Sequence, residues 1–171
     1  MITLHHFTNP IWFEKLGAWE NQNSIKYFVK YSEKVFKEYS KKVKFWCTIN
    51  ESEVIFLLGY LDGRFPPGKK LDFSTGKIVL QNLLQSHVET YFALKKLPNG
   101  ENSKIGFVKD IIQFDPYHKW NPIDLLISYG MNHLLTESIL KFFETGKFQF
   151  IPFLTSFENP KAKKSLDFIG L

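Results

Sequence analysis

The stretch that most constrains this chain is Val43-Lys44-Phe45-Trp46-Cys47-Thr48-Ile49-Asn50-Glu51. Aromatic and β-branched residues dominate positions 43 to 49, which reads as a strand buried on both faces, the pattern typical of a parallel sheet. The run stops on an amide and a carboxylate. In parallel α/β folds, polar side chains at the C-terminal ends of strands are where chemistry usually sits. Glu51 is therefore the first candidate catalytic residue, and the alternative is that Asn50 and Glu51 merely open the next loop or cap its helix.

The remaining elements fall into place around that strand. Ile2-Thr3-Leu4 is strand-like and runs into His5-His6-Phe7 before a turn at Asn9-Pro10. Helical spacing of Ile25, Phe28, Val29, Val35, Phe36 and Tyr39 predicts a crossover helix over residues 24 to 39, with Asn23 or Ser24 as its cap. Strand, helix and strand then form a right-handed parallel unit. Residues 59 to 76 read as a long loop around Gly63-Arg64-Phe65-Pro66-Pro67-Gly68, with a fixed, irregular path. Loops of this length in compact domains tend to be functional.

Leu80, Leu83, Leu84, Val88, Tyr91 and Phe92 mark a second helix, on whose apolar face His87 reads as a packed core histidine. A third strand covers residues 104 to 109, and residues 111 to 116 either lengthen it or form a bulge. Asn121-Pro122 starts a third helix, interrupted near Gly130 and ended by Gly146. Residues 166 to 171 begin a fourth strand. Strands alternating with helical crossovers give parallel α/β architecture. Both chain ends fall on strands whose unpaired edges natural proteins normally cover, so residues 1–171 read as a single segment of something larger, truncated at both ends.

Composition narrows the function classes. A formal charge of +5 comes with lysines spread over helix faces and only short clusters, Lys69-Lys70 and Lys161 to Lys164, so solvated faces explain it better than a nucleic-acid partner. With no leader and no apolar stretch long enough for a bilayer, no membrane partner is expected and the expected location is cytoplasmic. The single cysteine, Cys47, lies inside the buried strand and reads as core, without an internal disulfide. Aromatic residues make up 17% of the chain, more than such a core ordinarily needs, so some are expected to line a groove.

Four motifs in order carry a family resemblance: Thr3-Leu4-His5-His6-Phe7-Thr8-Asn9-Pro10, Lys44 to Glu51, Gly63 to Gly68, and Leu166-Asp167-Phe168-Ile169-Gly170-Leu171. In these the chain resembles family 1 glycoside hydrolases, which include β-glucosidases, β-galactosidases and 6-phospho-β-glycosidases. The resemblance implies a partial (β/α)₈ TIM barrel covering roughly its third to sixth strands. It implies a β-linked glycoside as substrate, no cofactor and no metal. By that resemblance Glu51 matches the general acid/base, Asn50 the amide that bonds the sugar 2-hydroxyl, and His6 a histidine that bonds a ring hydroxyl of the glycone.

Phe7 stands where the family often has Trp, which keeps an aromatic wall and loses an indole donor. Ser52 replaces a usual proline, which loosens the turn that aims Glu51. The family's nucleophile lies on its seventh strand, and no matching motif occurs here. Glu53 and Glu158 lack the implied position, so no nucleophile is assigned and the isolated chain is expected to be inactive. A non-catalytic relative that binds sugar or protein is the alternative. A metal-dependent hydrolase using His5, His6, His118 and Glu51 is a third reading, opposed by geometry, because neighbours on a strand point to opposite faces. Oligomeric state is not legible.

Overall fold

The computed structural model describes all residues from Met1 to Leu171. In chain order its elements are β1 (Ile2–His5), α1 (Ile11–Lys15), α2 (Ser24–Tyr39), β2 (Phe45–Asn50), α3 (Ser52–Phe56), α4 (Phe73–Lys95), β3 (Lys104–Val108), α5 (Pro122–Asn132), α6 (Ser138–Thr145), β4 (Lys147–Phe148), β5 (Phe157–Glu158) and β6 (Phe168–Gly170). They form two compact units, one of residues 1–109 with 165–171 and one of residues 110–164.

The first unit is built on a four-stranded sheet in the order β1-β2-β3-β6. All its pairs are parallel, with His5 beside Ile49, Cys47 beside Gly106 and Phe107 beside Ile169. The long apolar run forms the central strand β2, where residues 46 to 50 are all buried. Helix α2 occupies the predicted range and turns Ile25, Phe28 and Phe36 inward, with the Phe36 ring 4.8 Å from that of Trp46. Neither expected cap acts as one: no side chain caps α2, and the Ser24 hydroxyl donates instead to the Ala18 carbonyl.

Helix α4 is longer than its apolar spacing indicates. It begins at Phe73, where the Asp72 carboxylate accepts the Thr75 N–H at 3.1 Å. The loop before it is correspondingly shorter, because a π-helical turn over Leu57–Leu61 continues α3. Gly76 lets the two helices approach closely, since a Cβ there would lie 2.4 Å from the Phe56 ring. Val79, Leu80, Leu83, Leu84 and Leu94 are completely buried along α4.

Two polar ties hold α4 to the sheet. His87 is buried as expected, with Nδ1 2.6 Å from the Thr48 hydroxyl and Nε2 2.7 Å from the Ser165 carbonyl. A carbonyl can only accept, so Nε2 carries the proton and Nδ1 accepts from Thr48. Asp167, at the entry to β6, is 2.7 Å from the Lys95 ammonium and accepts from the Ile105 N–H and the Tyr91 hydroxyl. Burial raises the Asp167 pKa, but the Lys95 contact and the Ile105 N–H outweigh it and leave the carboxyl below its ordinary value.

In the second unit, α5 and α6 are joined by a π-helical turn over His133–Glu137, just beyond the expected interruption at Gly130. Gly146, at φ +80°, ends α6. Strands β4 and β5 then pair antiparallel, Phe148 beside Phe157, a feature too short to show a periodic signal. Residues 111 to 116 form no strand. The Asn132 amide takes both backbone groups of Phe114, accepting its N–H at 2.7 Å and donating to its carbonyl at 2.8 Å, and so occupies the groups a ladder would need.

Burial pushes the His87 pKa down to about 4, opposed by the bond to Ser165. In an unfolded chain the ring titrates near 6.5, so below that pH the unfolded state binds more protons than the folded one. Stability contributed by neutral His87 is present above about 6.5 and falls as the pH drops toward 4. The denaturant midpoint is expected to fall across this window, and the slope to flatten in His87→Phe by up to about 1.4 kcal/mol per pH unit. An unchanged slope would contradict the assignment.

Candidate active site

The C-terminal ends of β1 and β2 carry the sequence-selected residues. Parallel register puts His5, the last residue of β1, beside Ile49, and the next residues, His6 just past β1 and Asn50 at the end of β2, follow at the same end of the sheet. The two histidines part at the end of β1: His5, its last residue, is buried, and His6, in the bend that follows, is exposed. The His5 ring lies edge-on to Trp19 at 5.1 Å, and its Nε2 is 3.3 Å from the Trp19 indole nitrogen and 3.0 Å from the Asn9 side-chain oxygen. Burial lowers its pKa to about 4 despite the bond to Asn9, so it is neutral and built into the core.

After His6 the chain turns sharply, with the Thr8 N–H bonded to the His6 carbonyl at 2.9 Å. Phe7 takes a left-handed conformation at φ 68°. Its ring stands 4.8 Å from that of His6 and 5.6 Å from that of Phe65, in the loop of Gly63 to Gly68. That loop is tied back by Lys69, whose ammonium is 2.8 Å from the Glu20 carboxylate, and Tyr60 donates to the same carboxylate at 3.2 Å. The Phe7 ring thus stands against the Phe-Pro-Pro loop.

Asn50, 7% exposed, is the last residue of β2. Glu51 is half-buried and left-handed, at φ 45° and ψ 66°. Its N–H donates to the Val108 carbonyl at 2.9 Å, and its own carbonyl accepts the Val54 N–H at 3.0 Å. Glu51 therefore both extends the pairing with β3 and sits at the cap position of α3, so its backbone does what the loop-and-cap alternative anticipated. Its side chain makes no capping bond.

Ser52 is fully buried, and its hydroxyl donates to Glu53 at 3.4 Å. Glu53 in turn forms an ion pair with Lys109 at 2.8 Å, with side-chain exposures of 0% and 1%. Lys109 escaped the sequence reading. A charged residue closing an apolar strand, as Glu51 closes β2, was the signal that could have found it.

Two hollows open beside β1. One of about 370 Å³ is lined by His6, Trp12, Phe13, Tyr27 and Tyr31 among others. The other, about 440 Å³, is lined by Phe7, Phe65, Tyr60, Asn9 and Glu14 among others. Aromatic residues thus line hollows, as their abundance led us to expect. Asn50 and Glu51 line neither, so the four candidates share an end of the sheet but not one of these hollows. Within the first unit, His5, His6 and Glu51 form no cluster of three His, Cys, Asp or Glu side chains that could hold an ion.

Helices crossing between parallel strands, with polar residues closing neighbouring strands, define a segment of an α/β barrel. Solved structures agree. A β-glycosidase from Pyrococcus horikoshii matches 98% of this chain with a TM-score of 0.83 and 33% identity, over 37% of its own length. A Thermotoga maritima β-glucosidase, solved with glucoimidazole, matches 98% with a TM-score of 0.83 and 23% identity, over 40% of its length, which supports the fold.

The chain belongs to glycosyl hydrolase family 1, whose sequence model matches residues 1–161. Among curated relatives, a 6-phospho-beta-galactosidase of Staphylococcus epidermidis is 40% identical over 126 residues, 72% of this chain and 26% of that protein. One from Clostridium acetobutylicum is 34% identical over 96 residues, 56% and 20% respectively. The chain thus spans between a fifth and about a quarter of these relatives.

Proposed function

We propose that the complete enzyme carrying this chain is a retaining β-glycosidase acting on a β-linked glucoside, galactoside or 6-phospho counterpart, with Glu51 as its general acid/base. The observation that carries the reading is the position of Glu51. In a family 1 chain, it follows buried Asn50 at the end of an inner parallel strand, at the end of the sheet where His6 follows β1.

In this mechanism the Glu51 carboxylic acid gives its proton to the departing glycosidic oxygen while a second carboxylate attacks the anomeric carbon. The resulting carboxylate then takes a proton from water as water displaces the enzyme from the sugar. Two carboxyl groups about 5 to 5.5 Å apart are required for this double displacement. Glu53 cannot supply the second, being buried in its ion pair with Lys109. The nucleophile belongs to the part of the enzyme outside these residues, and the 171-residue chain is inactive alone. Asn50 bonds the sugar 2-hydroxyl, a contact that tightens as positive charge develops on the ring. His6 reads a ring hydroxyl, and Phe7 forms a wall against the sugar face.

A non-catalytic relative that binds sugar or a protein partner is the second reading, motivated by Ser52 standing where the family usually has a proline. Leaving-group dependence separates the two. In the complete enzyme, Glu51→Gln is expected to lower kcat/KM for alkyl glycosides by about 100-fold or more beyond its effect on kcat/KM for dinitrophenyl glycosides, whose departure needs little protonation. Equal losses would contradict the acid role. His6→Ala is expected to lower kcat/KM for the preferred sugar by about 10-fold or more and to narrow discrimination between epimers. Unchanged epimer selectivity would show that His6 does not read the hydroxyls.

A further inference from the structure

We propose that the buried Glu53–Lys109 ion pair is a positioning device for Glu51, an inference that rests on the general-acid reading above. Two ties join the end of β2 to the end of β3. The Glu51 N–H is bonded to the Val108 carbonyl at 2.9 Å, and the Glu53 carboxylate is bonded to the Lys109 ammonium at 2.8 Å. Val108, the last residue of β3, and Lys109 just after it thus grip Glu51, just past β2, and Glu53, in α3, on either side of Ser52. The Ser52 hydroxyl turns toward the second Glu53 oxygen, at 3.4 Å. The Lys109 N–H bonds the Gly170 carbonyl at 2.9 Å, which anchors the grip to β6.

Between the ties the Glu51 backbone lies at φ 45° and ψ 66°. A non-glycine residue stays in that region only where its surroundings impose it, and this backbone geometry sets the direction of the Glu51 side chain. A general acid displaced by about 1 Å can lose about 100-fold in rate. Stability gives a weaker account of the pair. Removing both charges from water is expensive, and apolar pairs of similar volume often do as well or better, whereas loss of one partner strands a buried charge. Full burial also removes Glu53 as a direct participant in proton transfer. Glu53 and Lys109 act through Glu51, as positioning residues.

The test is made in the complete enzyme with Lys109→Met, Glu53→Gln and the double variant Glu53→Met/Lys109→Met, beside Glu51→Gln as reference. Each is assayed on an alkyl and on a dinitrophenyl glycoside, and its Tm is recorded. The double variant removes both members of the pair and is expected to keep a Tm near that of the parent. Its kcat/KM on the alkyl glycoside should nevertheless fall about 10- to 100-fold, with less than about a threefold change in kcat/KM on the dinitrophenyl glycoside, whose glycosyl-enzyme forms without acid assistance. A double variant with the parental Tm and the parental ratio of the two rates would overturn the proposal and leave the pair a packing feature. If Glu51→Gln shifts the ratio and the double variant does not, the positioning role alone has failed. If Glu51→Gln leaves the ratio unchanged, the general-acid reading has failed and takes the positioning role with it.

Discussion

The hydrogen bond from the Glu51 N–H to the Val108 carbonyl is the constraint on which the candidate site depends. It carries the pairing of β2 with β3 one residue past the end of the strand, so Glu51 cannot drift into the following helix. Helix α3 begins at once, and the Val54 N–H bonds back to the Glu51 carbonyl. One residue thus ends a strand and starts a helix, and a left-handed backbone is how it meets both demands. A reactive carboxylate placed there is held by backbone geometry as well as by packing.

The sheet that supports this junction is tied at several levels along its strands. Asp167 joins the entry of β6 to β3 and to α4, His87 joins α4 to β2 and to the segment before β6, and Glu53 meets Lys109 near the exit. Each tie links a loop or helix to a strand it does not follow directly in sequence. Gly106 shows how closely the backbones approach: a Cβ there would lie 2.5 Å from the Phe168 carbonyl. Apolar burial holds the layers together, while these polar ties fix which strand end stands beside which.

Features resting on long, regular patterns were legible from residues alone. The apolar run of β2, the spacing of α2, the buried Cys47 and the core position of His87 all followed from burial and periodicity. Short, irregular or side-chain-set features were not. The π-helical turns over Leu57–Leu61 and His133–Glu137, the two-residue pairing of β4 with β5, and the Asn132 clasp on Phe114 leave no periodic trace. The candidate site divides in the same way. Glu51 and Asn50 announced themselves as polar residues closing an apolar strand, and His6 and Phe7 came through family resemblance. The pairing of Lys109 with Glu53 was not legible, because the two lie 56 positions apart.

These strands reach the function through a single geometric claim, that the Glu51 carboxyl faces the glycosidic oxygen in the complete enzyme. Azide rescue of Glu51→Ala, assayed with a dinitrophenyl glycoside, tests it most directly. That substrate forms the glycosyl-enzyme without acid assistance, and the missing side chain leaves room for an anion on the face from which water would attack. Added azide should restore turnover and give a β-glycosyl azide, the configuration that a second displacement on that face requires. A Glu51→Ala enzyme that hydrolyses alkyl glycosides at the parental rate, or that shows no azide rescue and no glycosyl azide, would contradict the claim.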